Sequence, residues 1–459
     1  MTARPRTRFT CTACGAVAPR WAGRCAECGE WNTLLEEKVE AGAHHRQADA
    51  APVHRLADVE AGELQRMTSG TGELDRLLGG GIVPGGLYLV GGEPGIGKST
   101  LLLQVAGRLA GAGHKVLYLA GEESPAQIRM RAERLNVDTS GILVAAGTEL
   151  DALLGACDRA LPAVVICDSV QTVYDPALSS APGSVSQVRA AAGAFQRLCK
   201  TKGTAAFLIG HVTKGGGIAG PKTLEHAVDA VLTFDGDVQH EHRVLRALKN
   251  RFGSTHEIAV FTMTGSGLES VENPSSFFLD LERCMDPTPG SAHVASLEGT
   301  RPLLIEIQAL VARSPYGTPQ RVAGGFDARR MALLLAVLEK RADYPIGGRD
   351  VFLNVVGGLT LSEPAVDLGV VVALASSHAE RPVRAGTVVF GEVGLTGEIR
   401  AVRHAATRLR EAARLGFRRA VVAAGGNGSQ AEILQGGDHE IRLEVAPSVR
   451  QAVALALEA

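Results

Sequence analysis

The sequence predicts an α/β protein in which a small cysteine-rich module precedes two larger units, the first of them a mostly parallel sheet built to hold phosphate. Three observations carry that expectation. Two Cys-x2-Cys pairs fall within the first thirty residues, and a glycine-rich phosphate loop sits between an apolar strand and a long helix. From residue 58 to about 280, short apolar runs alternate with helical patterns. A chain of 459 residues exceeds what one hydrophobic core holds, and 45% hydrophobic with 21% charged residues is ordinary globular composition. Glycine is abundant at 55 residues and aromatics make up only 4%, which favours phosphate-binding turns over large aromatic faces. A net charge of -2 gives no global attraction to nucleic acid, so any such contact must rest on particular segments. The N-terminus lacks an apolar leader and every apolar stretch is interrupted before membrane length, which predicts a cytoplasmic protein with reduced thiols and no membrane partner.

In the first module, Cys11, Cys14, Cys25 and Cys28 form two pairs, each followed by a turn glycine, Gly15 and Gly29. Four soft thiolates with no open position describe a closed tetrahedral zinc site, and in so short a stretch the metal supplies much of the folding energy. A redox disulfide would need only one such pair. The module is expected over 1–33 as a four-cysteine zinc finger, with 34–57 as a flexible linker in which His44 and His45 are solvated. Five arginines against two glutamates in the first thirty residues suit phosphate contact, although such a ribbon can equally bind a protein. Cys157, Cys167, Cys199 and Cys284 stand in apolar surroundings and read as buried small hydrophobes.

The next unit is expected over 58–284. Strands are predicted at Leu87–Val90, Val116–Leu119, Ala163–Cys167 and Ala205–Ile209, with a helix from Lys98. Gly92, Glu93, Pro94, Gly95, Ile96, Gly97, Lys98, Ser99 and Thr100 form the phosphate loop and helix start. Its backbone N–H groups turn to the phosphates, Lys98 brings a positive charge to them, and the Ser99 hydroxyl can hold magnesium. Asp168 ends an apolar run, where a carboxylate for the magnesium shell belongs; a strand-end turn aspartate is the plainer alternative. Glu122 and Glu123 follow the second strand, and a carboxylate there can reach the γ-phosphate side. Glu122 is the preferred base, with Glu123 sharing the role or starting the next helix.

These residues, with GGEPGIGKST, GEES at Gly121–Ser124 and KNRFG at Lys249–Gly253 in the same order, resemble the RadA (Sms) family of bacterial DNA repair proteins over nearly the whole chain. The resemblance implies a RecA-like core that assembles into hexameric rings, hydrolyses ATP with Mg2+, binds single-stranded and branched DNA, and promotes branch migration in recombination beside a recombinase partner. It implies that Lys98, Ser99, Asp168 and Glu122 serve the nucleotide and that His211 senses the γ-phosphate. It also implies that Lys249 and Arg251 face a neighbour's ATP across a subunit interface. Thr213–Glu225, with Lys214 and Lys222, resembles a DNA-contacting loop, and Gln171–Ser184 is a second candidate.

Met285–Pro289 is the expected boundary before a second α/β unit over 285–459, with helices near Arg329–Lys340 and Pro364–Ser377. From about residue 290 the chain resembles the proteolytic domain of the Lon type. Ala365 stands where that family has its serine and Ala406 where it has its lysine, and Ser362 and Arg403 are poor substitutes, so a proteolytically inactive scaffold is expected. Arg313, Arg321, Arg329 and Arg330 would give it basic surface for DNA. A Lon-like protease and a KaiC-like signalling ring are the alternatives; the latter leaves the four-cysteine finger without a role.

Overall fold

The computed structural model describes residues 6–11, 16–39, 55, 65–210, 222–235, 242–255, 257–271, 273–275, 279, 284, 286–314, 317–424, 433–436 and 439–457. The chain's contacts divide it into two units, 1–271 and 272–459. No helix among the described residues is long and apolar enough to cross a membrane.

The first unit begins with β1 (Arg6–Cys11), β2 (Val17–Ala18) and β3 (Leu34–Val39), an antiparallel sheet in the order β2-β1-β3. Among the described residues its buried core is Cys11, Cys25 and Leu34, with Phe9, Ala16 and Ala18 packed against them. The expected linker therefore starts later than residue 34. Leu34–Val39 pairs residue by residue with Arg6–Cys11, because Leu34 is buried beside the cysteines and β1 needs a partner for its backbone.

The phosphate-loop body contains α1 (Gly72–Leu77), β4 (Leu87–Gly91), α2 (Lys98–Gly111), β5 (Val116–Ala120), α3 (Pro125–Arg134), β6 (Ile142–Ala146) and α4 (Leu150–Ala160). It continues through β7 (Val164–Asp168), α5 (Val185–Lys202), β8 (Ala205–Ile209), α6 (Lys222–Glu225), β9 (Ala230–Asp235), β10 (His242–Asn250), β11 (Ile258–Thr264) and β12 (Gly267–Ser270). The strands form one sheet in the order β12-β11-β10-β9-β4-β8-β7-β5-β6. From β9 to β6 the pairing is parallel, while β10, β11 and β12 extend the sheet antiparallel. β4, β5, β7 and β8 are buried on both faces, as a sheet covered by helices on each side requires. Tyr88, Tyr118, Ile166 and Phe207 turn toward α1 and α2, whereas Leu89, Leu117, Val165 and Leu208 turn toward α4 and α5.

The second unit contains β13 (Ser291–Glu298), β14 (Arg301–Arg313), β15 (Arg321–Gly324), α7 (Ala328–Ala342), β16 (Arg349–Val355), α8 (Asp367–Ala379), β17 (Thr387–Phe390), β18 (Glu392–Val393) and β19 (Ile399–Arg400). It closes with α9 (Ala405–Arg414), β20 (Arg419–Ala423), β21 (Ile433–Gly436), β22 (His439–Ala446) and α10 (Val449–Ala456). Its main sheet runs β15-β16-β14-β13-β17-β20-β22-β21 with mixed pairing. The unit starts before the expected boundary at 284/285. Ser275 already bonds Glu411 at 3.0 Å and the Leu304 N–H at 3.3 Å, and Asn273 accepts from Arg414 at 2.9 Å.

Two ion pairs flank Ala365, itself fully buried. Arg408, with no exposed surface, grips Glu363 with two nitrogens and donates to the Ala295 carbonyl at 2.7 Å. Arg330 grips the buried Asp367, whose other contact is the Val393 N–H at 3.2 Å. Arg330 is thus a correction to the expected basic surface: its charge is paired with Asp367, whose carboxyl burial holds above the usual range, with Arg330 pulling it back only in part. Removing one member of a buried pair leaves the other uncompensated. Arg408→Ala is expected to cost the second unit about 3 kcal/mol, the low end for such a pair because Glu363 is partly exposed. A lowered melting transition in calorimetry would show it, and an unchanged one would contradict it.

Candidate functional site

β4 runs straight into the phosphate loop, and α2 begins at Lys98. The loop can turn this tightly because Gly97 is left-handed, with φ +115°, and a β-carbon on it would press on Met263 at 3.0 Å and Leu268 at 3.1 Å. The first N–H groups of a helix have no partner within it, so the start of α2 offers donors suited to an anion. Lys98 is 4% exposed and donates to the carbonyls of Gly92 at 2.8 Å and Glu93 at 2.9 Å. Burial pulls its pKa down, and the nearby Asp168 and Glu122 carboxylates push it back up. Arg243, missed from the sequence, holds the loop from β10: its buried Nε donates to the Ile96 carbonyl at 3.2 Å.

β4, β8, β7 and β5 are consecutive neighbours, so the loops after β4, β5 and β7 gather at the same carboxyl edge of the sheet. Asp168, at the end of β7 and 8% exposed, accepts from the Tyr118 hydroxyl at 2.5 Å. Burial, reinforced by Asp168, raises the Tyr118 phenol well above its usual range, so it remains a donor. Ser169, fully buried, donates to Glu122. The two glutamates diverge: Glu123 is paired with Arg131 of α3, and Ser124 caps that helix by accepting from the Gln127 N–H at 3.3 Å. Glu122 is held by Ser169, the residue next to Asp168, and acts with Asp168 on the charge of Lys98. Tyr118 and Ser169 also escaped the sequence reading, since their roles depend on which strands lie side by side.

Lys249 and Arg251 are not brought to this edge. Lys249 lies within β10, paired with β9. Its ammonium donates to the carbonyls of Glu225 and Val228, and burial together with Arg251 lowers its pKa. Arg251 pairs with Asp229 at 3.1 Å, and Asp229 also accepts from the Leu87 N–H at 3.1 Å. Leu87 opens β4, so these cations sit at the opposite end of that strand from the phosphate loop, about 13 Å away at strand rise. The remaining motif residues pack locally: Asn250 donates to the Leu77 carbonyl at 3.1 Å, Phe252 lies 5.8 Å from the Tyr88 ring, and Gly253 and Gly79 approach so closely that a β-carbon on either would strike the other's backbone. Gln171–Ser184 is stapled from α5 by Gln187, which accepts from the Asp175 N–H at 2.7 Å and donates to the Ser180 carbonyl at 2.9 Å. Cys14, His211 and residues 213–221 lie outside the described residues, as does the side chain of Lys222.

Ligand atoms of Cys11, Cys25 and Cys28 lie within 4.8 Å of one another, with 3.7 Å between the sulfurs of Cys11 and Cys28. Four thiolates at zinc bonding distance stand about 3.8 Å apart, so this soft-donor cluster fits a tetrahedral metal. Cys157, Cys167, Cys199 and Cys284 are all buried, and burial pushes the Cys157 thiol up to about 11 and Cys199 up to about 12. Burial thus keeps these thiols protonated and unreactive at pH 8. Ellman's reagent in native buffer at pH 8 is therefore expected to find the cluster thiols only after a chelator has removed the metal. Fast reaction of further thiols before unfolding would contradict the burial.

Among known families, an AAA domain matches residues 51–217 and a rubredoxin metal binding domain matches residues 9–36. The chain is 48% identical to the DNA repair protein RadA of Halalkalibacterium halodurans and 46% identical to that of Bacillus subtilis, each over 92% of this chain and 93% of the relative. The Synechocystis RadA is 45% identical over 100% of this chain and 95% of its own. A KaiC-like protein from Pyrococcus horikoshii aligns at TM-score 0.39 and 17% identity, covering 45% of this chain and 99% of its own, a likeness too loose to carry a functional argument. At nearly half identity over more than nine-tenths of both chains, with an AAA domain and a metal-binding ribbon in the expected order, the chain belongs to the family of the DNA repair protein RadA.

Proposed function

We propose that this ATP-hydrolysing protein is a DNA-dependent motor that acts on single-stranded and branched DNA in recombinational repair, works as a hexameric ring, and promotes branch migration alongside a recombinase. The observation that carries the reading is the convergence of Lys98, Asp168 and Glu122 at one sheet edge, in a chain whose relatives are named DNA repair proteins. Lys98 leaves its two loop carbonyls to meet the β- and γ-phosphates, joined by backbone N–H groups of the loop and of the first turn of α2. The Ser99 hydroxyl and Asp168 are the groups that would hold Mg2+, which would supply positive charge to the phosphate oxygens. Glu122 orients the attacking water and takes its proton, with Ser169 as its rest-state partner. His211 follows β8, which lies between the phosphate-loop strand and the Asp168 strand, and it reads the γ-phosphate.

The second unit serves as a Lon-protease-like scaffold without peptidase activity. Ala365 has no nucleophile to offer, and the acidic residues beside it are engaged by Arg408 and Arg330. Arg313, Arg321 and Arg329 add basic surface, and the segment Thr213–Glu225 contacts the DNA backbone without reading sequence.

Lys98→Ala is expected to abolish ATP turnover. Glu122→Gln should retain nucleotide binding and lose about a hundredfold or more in hydrolysis, because the side chain keeps its shape and loses its basicity. Measured with and without single-stranded DNA, wild-type hydrolysis should rise with the oligonucleotide; a DNA-independent rate would remove the motor reading, and full activity in Glu122→Gln would move the base to Glu123.

The position of Lys249 and Arg251, remote from their own phosphate loop, supports their action on a neighbour's ATP. Mixing Lys249→Ala subunits with Lys98→Ala subunits is expected to restore part of the hydrolysis that each lacks alone. A mixture no more active than its components would count against action in trans.

A further inference from the structure

Both tryptophans of the chain, Trp21 and Trp31, lie on the cysteine-rich module, and both are left in water at 59% and 67% exposure. They are not scattered. A β-carbon on Gly23 would stand 3.7 Å from the Trp31 ring and 3.9 Å from the Trp21 ring, so the two indoles border one position that carries no side chain. A short antiparallel bridge fixes this arrangement: Arg24 faces Trp31, the Asn32 N–H donates to the Gly23 carbonyl at 2.7 Å, and the Cys25 N–H donates to Glu30 at 2.9 Å. The Arg24 guanidinium lies 5.8 Å from the centre of the Trp31 ring system, and Arg20 beside Trp21 is exposed. The surrounding thirty residues carry five arginines against two glutamates in a chain whose net charge is -2. Flat aromatic surface, a bare backbone position and local cationic charge together match a polyanion that presents unstacked bases.

We infer that Trp21, Gly23 and Trp31 form a base-stacking platform for single-stranded nucleic acid, with Arg20 and Arg24 on the flanking phosphates. This rests on the reading that the chain acts on single-stranded DNA, and assigns a contact to the ribbon in addition to the motor body. Because a base has a π-face whatever its identity, the platform holds the strand without selecting sequence.

The test uses full-length, metal-loaded protein and a labelled oligothymidylate of about 15 nucleotides, within the span a small single-strand binding module covers. With both tryptophans on the ribbon, indole emission reports that module alone, while anisotropy of the label reports binding anywhere on the chain. The expected result is quenching of emission on binding, with Trp31→Ala and Gly23→Leu each weakening affinity about tenfold, the loss of roughly one stacked base. Gly23→Ala, whose added carbon makes only ordinary contacts, should bind like wild type, and zinc content should be unchanged in every variant. Oligonucleotide binding with unaltered emission, or wild-type affinity in Gly23→Leu, overturns the platform while leaving the single-stranded DNA reading intact. No rise in anisotropy overturns both. Emission that responds to a recombinase filament and not to the oligonucleotide makes the surface a protein-docking face and overturns the proposal.

Discussion

Keeping a lysine ammonium out of water at the end of a fully buried strand is costly unless opposite charge is close by. Lys98 meets that condition with two loop carbonyls and with the fields of Asp168 and Glu122, which counter the lowering of its pKa by burial. The strand order follows from the same need: carboxylates carried after β5 and at the end of β7 reach Lys98 only because β8 alone separates β7 from β4. Tyr118 and Ser169 then hold those carboxylates, and Arg243 holds the loop itself.

How much of this could be read from the sequence depended on whether the signal was local. The phosphate loop and Asp168 were legible, because each is an apolar run followed by residues whose chemistry is specific to one place in the chain. Tyr118 and Arg243 were not, since a tyrosine or arginine inside an apolar strand looks the same whether it faces core or site until the neighbouring strands are known. Glu122 and Glu123 are adjacent and chemically alike; Arg131, eight residues after Glu123 and one helix away, is what separates them. In KNRFG the charges drew attention, yet asparagine, phenylalanine and glycine are there for packing against α1 and Tyr88.

The second unit handles charge differently. Beside its surface pairs such as Arg450–Asp343, two ion pairs reach into the fold, Arg408–Glu363 and Arg330–Asp367, and both employ residues that composition alone would assign to the surface. Glu363 accepts from Arg408, from the Leu297 N–H at 2.6 Å and from the Ser296 hydroxyl at 3.2 Å, so its carboxylate ties β13 to α9. Asp367 joins α7 to the β18 backbone in the same manner. Such pairs add little net stability over apolar packing, but they penalise any rearrangement that parts them.

The contact between Gly79 and Gly253 bears on mechanics. Two backbones that touch without intervening side chains have no rotamers through which to absorb a displacement, and the same segment is bolted to the first residue of β4 through Asp229. β4 is a stiff rod whose far end is the phosphate loop. The Lys249–Gly253 corner is therefore coupled to the strand that ends in the phosphate loop by one short path, a glycine–glycine backbone contact beside the Arg251–Asp229 bridge, with little slack in either.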